Sequence, residues 1–160
     1  MFRARNLFKL AIVIAIALIV ISIFIPSATA ATQTFQWQGA KGYTVKGVFE
    51  YERRSPVISQ KGAGQTENLQ SLKVNFYDPA NKLIQTYNNV TDGLAKGNYF
   101  EFHFDPTTQK LMGNIDLGGE VAGETYLKGT VECELSLIEV DSSGKEHIID
   151  RDFSLAASSN

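Results

Sequence analysis

The sequence predicts an all-β protein, a single antiparallel β-sandwich of about eight strands, preceded by a secretory signal peptide. Three observations predict the fold. Apolar and polar residues alternate with period two in one segment after another, as where Val45, Gly47, Phe49 and Tyr51 interleave with Thr44, Lys46, Val48 and Glu50. After residue 30, no long segment repeats its apolar positions with the 3.6-residue period of an amphipathic helix. Turn-forming pairs, Asp78-Pro79 and Asp105-Pro106, punctuate the alternating runs. A closed eight-stranded barrel would use the same strands and is the alternative architecture.

Residues 1–30 have the three parts of an export signal. Arg3, Arg5 and Lys9 form a basic start, Leu10 to Ile25 is apolar except for Ser22, and Pro26 precedes the small-x-small sequence Ala28-Thr29-Ala30. Cleavage after Ala30 is expected, leaving residues 31–160 as one all-β domain. If the signal were not cleaved, residues 10–25 would anchor the chain in the inner membrane, near the lower limit of length for a spanning helix. No cysteine lies near the cleavage site to take a lipid, and Ala4 separates Arg3 from Arg5, so there is no twin-arginine pair. The expected destination is the periplasm or the medium.

Of the 15 basic residues, 12 lie beyond residue 30 together with all 17 acidic ones, giving the mature part a charge of about −5. A surface of that sign repels nucleic acid and anionic lipid. Cys133 is the only cysteine, so an intrachain disulfide is excluded and the core must hold the fold.

Along the mature chain, Phe35 and Trp37 mark the first strand and Tyr43 to Tyr51 the second. Residues 52–69, with Arg53-Arg54-Ser55-Pro56 and Lys61-Gly62-Ala63-Gly64-Gln65, interrupt the alternation and are expected to form the longest irregular loop. Leu72, Val74 and Phe76 begin a strand that turns at Asp78 to Lys82 and resumes over Leu83 to Tyr87. Phe100, Phe102 and Phe104 line one face of the next strand, which turns at Asp105 to Lys110 and continues over Leu111 to Asp116. After Gly118-Gly119 and Gly123, a long alternating run covers Thr125 to Val140, where Gly129 is expected to allow a bend that lets one segment serve two sheets. Asp141 to Lys145 turns the chain, and Ile148 to Leu155 supplies a last strand.

Chemistry is sparse in this pattern. His103 shares a polar face with Glu101, and neither His103 nor His147 has a partner at metal-ligand spacing. Cys133 has the parity of Val131, Leu135 and Leu137, which predicts a buried thiol, while Glu132 and Glu134 would share a solvated strand face. The glycines before Thr125 precede a strand, so they form no phosphate cradle. Asp141-Ser142-Ser143-Gly144 reads as a hairpin turn because it lacks the full spacing of a calcium loop. No G-x-S-x-G elbow is present. No catalytic, cofactor-binding or metal-binding residue is therefore assigned.

Gly47-Val48-Phe49-Glu50-Tyr51-Glu52, soon after a signal peptide, resembles the G-x-F-x-Y-[DE] strand of exported bacterial proteins of the PEP-CTERM-associated type. Phe102-His103-Phe104-Asp105-Pro106, with Leu111 and Gly113, is similar to a later strand-turn-strand in that group. Glu52 stands where those proteins more often have Asp, and Leu155 to Asn160 carries no Pro-Glu-Pro signal. The resemblance implies an exported β fold without sorting-dependent attachment, and it brings no catalytic residue.

The expected function is a non-catalytic extracytoplasmic binding or structural module whose partner is a protein, a glycan or an envelope component. Tyr77 and Tyr87 are its candidate exposed aromatics. The first alternative is a small barrel in which Trp37, Phe100, Phe102 and Phe104 line a cavity for an apolar ligand. The second is a hydrolase, which would need His103 or His147 within hydrogen-bond reach of an acid and a nucleophile.

Overall fold

The computed structural model describes residues 30–152, 155 and 156. The signal-peptide reading lies, apart from Ala30, outside the described residues, as does most of the polar tail. Among the described residues there is no helix long and apolar enough to cross a membrane.

The architecture is a β-sandwich of two antiparallel sheets, and the sheets do not close into a barrel. The strands are β1 (Ala30–Gln38), β2 (Thr44–Glu52), β3 (Ile58–Lys61), β4 (Gly64–Gln65), β5 (Leu69–Tyr77), β6 (Leu83–Thr91) and β7 (Leu94–Ala95). They continue as β8 (Glu101–Asp105), β9 (Lys110–Leu111), β10 (Asn114–Gly118), β11 (Thr125–Thr130), β12 (Leu135–Val140), β13 (Glu146–Asp152) and β14 (Leu155–Ala156). The first sheet runs β14-β1-β2-β5-β6-β7-β4; the second runs β13-β12-β11-β10-β8-β3, with β9 beside β8. There are more strands than the eight expected, because several are two-residue pieces too short to show an alternation.

The predicted alternation builds the core. In β2, Val45, Phe49 and Tyr51 point inward; in β8, Phe102 and Phe104 do the same from the opposite sheet. Phe49 meets Phe102 and Phe104 edge to face across the gap, with ring centroids 5.0 and 4.8 Å apart. Such pairs add roughly 1 kcal/mol each to the burial of their rings. Trp37, Phe100, Phe102 and Phe104 thus belong to one packed core with Phe49, Leu72, Phe76 and Leu127 rather than to the lining of a barrel cavity.

Both Asp-Pro turns form as predicted. The Asp78 carboxylate accepts the Lys82 amide at 2.9 Å, joining β5 to β6, and Asp105 accepts the Thr107 amide at 2.8 Å between β8 and β9.

Four expectations are corrected. Residues 52–69 are not one loop, since β3 crosses to the second sheet and β4 returns to the first. The polar sequence Ser59-Gln60-Lys61 hides β3 because an edge strand need bury little on either side. The run Thr125 to Val140 is a hairpin, β11 and β12, within the second sheet, and Gly129 does not carry it between sheets. Its turn displaces Cys133 from the parity that predicted burial, leaving the thiol exposed. Ile148 to Leu155 is likewise two pieces, with β13 in the second sheet and β14 paired to β1 in the first.

The sheets are also tied at one end by Asp150. This buried carboxylate on β13 accepts the Lys41 amide at 2.9 Å and the Tyr43 amide at 3.2 Å from the β1–β2 turn. Gly39 makes room for it: a Cβ there would lie 2.2 Å from Asp150 Oδ2.

Candidate functional site

Alternation that turns apolar side chains inward must turn polar ones outward, and on the second sheet the register gathers them into rows. Lys61 on β3 pairs with Glu101 on β8, Glu101 with Asp116 on β10, and Asp116 with Lys128 on β11. Lys61 Nζ lies 3.1 Å from Glu101 Oε2, and Lys128 Nζ lies 3.3 Å from Asp116 Oδ2. The two carboxylates therefore sit side by side, each with its own lysine on the far side.

Beside this row is a groove of about 380 Å³, lined by Lys61, Tyr99, Glu101, Asn114, Asp116 and Lys128 among others. A second hollow of about 290 Å³ shares Tyr99, Asp116 and Lys128 and extends toward Glu120, Tyr126 and Glu146. The Tyr99 side of both hollows is open, the residue being 69% exposed. Its backbone is held by Glu120, whose Oε1 accepts the Tyr99 amide at 2.7 Å.

The electrostatics of the two carboxylates diverge. Burial pushes Asp116 from its ordinary 3.8 up to about 6; Lys128 offsets only part of that burial, and repulsion from Glu120 and Glu101 adds a smaller rise. Burial opposes the charge on Glu101 too, but hydrogen bonds and charge from His103 and Lys61 outweigh it and leave this carboxyl below its ordinary value. Opposed shifts of neighbouring acids occur at sites that bind or react and in structural ion-pair networks alike. At Tyr126, burial and the nearby Glu146 carboxylate raise the phenol well above its ordinary value.

A second constellation adjoins the first. His103 Nε2 lies 3.1 Å from Glu101 Oε1, and His103 Nδ1 lies 2.8 Å from Ser59 Oγ. Register explains the meeting, since Ser59 stands opposite His103 on β3 while Glu101 is two residues away on the same strand face. The sequence placed Glu101 and His103 together but missed Ser59, which lies 44 residues away from His103 in a segment without alternation. Asp116 and Asn114 were findable from their alternation with Ile115 and Leu117; their pairing with Glu101 and Lys128 was not.

The remaining candidates are structural. His147 Nε2 lies 2.8 Å from Asp141 Oδ2, while Asp141 Oδ1 accepts the Ser143 amide at 2.8 Å and the Lys145 amide at 3.0 Å. The Ser143 hydroxyl also donates to Asp141 Oδ1, at 2.6 Å; this bond above all, with His147 and the amides, holds the Asp141 carboxyl well below the usual range, and together they hold the β12–β13 turn. Glu132 and Glu134 do not share a strand face: both precede β12, and Glu132 accepts the Gly113 amide at 3.1 Å. Gly118 ends β10, and the segment after it is braced by Glu124, which accepts the Glu120 amide at 2.7 Å.

Tyr87 is half-buried rather than an exposed contact residue. Its ring packs on Phe76 at 5.6 Å, and its hydroxyl accepts the Thr125 amide at 3.1 Å, a link between the sheets. Tyr77 is half-buried beneath Lys46. Among the described residues, no group of three or more His, Cys, Asp or Glu side chains could hold a metal ion.

The chain matches no known family, curated protein or solved structure.

Proposed function

We propose that this chain is an exported binding module that holds an oligosaccharide across the outer face of its second sheet. The observation that carries the reading is the open groove in which Tyr99 stands beside Asn114, Asp116, Glu101 and two lysines. A sugar ring offers an apolar CH face and a rim of hydroxyls, each both donor and acceptor. Tyr99 supplies a flat apolar partner for the first, and the carboxylates, amide and ammonium groups supply acceptors and donors for the second. Two adjoining hollows that share Tyr99 favour several rings over one. The net negative charge of the mature part disfavours a nucleic acid in the same groove.

Affinity electrophoresis of the mature protein through gels containing neutral and amino-sugar polysaccharides tests this reading. At least one polysaccharide should retard the protein, and Tyr99→Ala should reduce the retardation at least tenfold. No retardation in any gel, or equal retardation of the variant, would remove the proposal. Export is checked separately, by a mature N-terminus at Ala31 in the periplasmic or secreted fraction.

A further inference from the structure

We propose that Ser59 is the nucleophile of a site that cleaves short-chain carboxylic esters, with His103 as its base and Glu101 positioning the imidazole. The inference does not rest on the oligosaccharide reading.

The proton arrangement follows from the partners. Glu101 is held as a carboxylate and can only accept, so His103 Nε2, 3.1 Å from its Oε1, carries the hydrogen. In the neutral imidazole, the form that can act as a base, His103 Nδ1 is then a lone pair to which Ser59 Oγ at 2.8 Å donates. Lys61 Nζ holds the other oxygen of Glu101 at 3.1 Å, which fixes the plane of the carboxylate. Both His103 and Glu101 are largely covered, at 22% and 17% side-chain exposure, whereas Ser59 is exposed and open to a substrate. Nucleophile, base and orienting acid thus stand in sequence, the arrangement that activates a serine in acyl transfer.

The edge position of β3 supplies a donor for the developing oxyanion. The Gly62 amide donates to the Phe100 carbonyl at 2.7 Å, so Gly62 and Gln60 turn their amides toward β8. Alternation sends the amides of Ser59 and Lys61 the other way, where, among the described residues, the second sheet has no further strand. The opposite side agrees, since the His103 carbonyl faces away from β3 and accepts the Met112 amide at 3.1 Å. The Ser59 amide can therefore meet the oxygen of a carbonyl under attack by Ser59 Oγ.

In the reaction, Ser59 Oγ bonds to the ester carbonyl carbon as its proton passes to His103 Nδ1. The carbon–oxygen bond to the alcohol breaks, and the leaving oxygen takes that proton. Water then attacks the acyl-serine, gives a proton to Nδ1, and releases the carboxylic acid as Ser59 recovers its own. One ester and one water give one acid and one alcohol. An exposed serine on a polar sheet face suits a small acyl group, and an ester's alkoxide leaves more readily than the unprotonated nitrogen of an amide.

The test uses the mature protein with a fluorophosphonate probe read by intact mass, and with p-nitrophenyl acetate as substrate. A single adduct should map to Ser59 and vanish in Ser59→Ala, and acetate release should fall about 100-fold or more in His103→Ala. Glu101→Gln should displace the pH profile of labelling, which a purely structural role would leave in place. Absence of labelling in the wild type, an adduct that persists in Ser59→Ala, unchanged rates in His103→Ala or an unmoved profile in Glu101→Gln would each overturn the proposal. Circular dichroism of each variant confirms that the sandwich is retained.

Discussion

On the outer face of the first sheet, Gln36, Lys46, Asn75 and Thr86 form a row across β1, β2, β5 and β6. On the second sheet, the matching row is Lys61, Glu101, Asp116 and Lys128. The first is mostly neutral, with Thr86 Oγ1 donating to Asn75 Oδ1 at 2.8 Å. The second packs two carboxylates side by side, at 17% and 12% side-chain exposure. Both sheets cover the same core, but in these two rows only the second sets two half-buried acids next to each other. Holding such groups from water costs free energy that the neutral row of the first sheet does not incur.

Breaking the tie between the sheets should have the largest effect. Asp150, at 1% exposure, accepts amides from Lys41, Tyr43 and Arg151. Asp150→Ala takes the shared acceptor from three part-buried amides, and urea unfolding should show a loss of about 3 kcal/mol. A loss below about 1 kcal/mol would mean that the shared core alone aligns the two faces.

The contrast between the faces was only half legible in the sequence. Side-chain parity identified Phe102 and Phe104 as core and Glu101 and His103 as surface, because a strand's period belongs to the strand itself. Asp-Pro turns were legible for the same reason, their bonds being local. Which polar residues become neighbours depends on register between distant strands, so Ser59 opposite His103 left no trace in either segment. Parity also fails where a turn consumes residues, as Val131 to Glu134 do, and there it misplaced Cys133.

Asp116→Asn sharpens the contrast in the opposite direction, by stabilising the protein at neutral pH. With the folded carboxyl at about 6 and its ordinary value at 3.8, the native state holds a proton across that interval that the unfolded chain has released. This group's contribution therefore falls as pH rises from about 4 to about 6 and stays low above that, amounting to roughly 2 kcal/mol after allowance for partial solvation. The amide escapes the charging cost, and Lys128, 55% exposed, loses little when its partner becomes neutral. Melting temperatures of the two proteins should diverge progressively between pH 4 and pH 6, with the variant higher at pH 7. Parallel curves over that range would show that Asp116 ionises as freely as a surface acid.

The smallest effect belongs to the first sheet. Lys46 Nζ sits 5.1 Å from the centre of the Tyr77 ring, a contact in reach of water on the outer face. Lys46→Ala should cost about 0.5 kcal/mol or less and leave the pH dependence unchanged. Chemical denaturation at pH 5 and at pH 7 checks both points, since a solvated cation over a ring contributes a constant term while a coupled carboxylate contributes one that titrates. If Lys46→Ala instead altered the difference between the two pH values, charge on the first sheet would be coupled through the core to Asp116. The two faces would then have to be treated as one electrostatic unit.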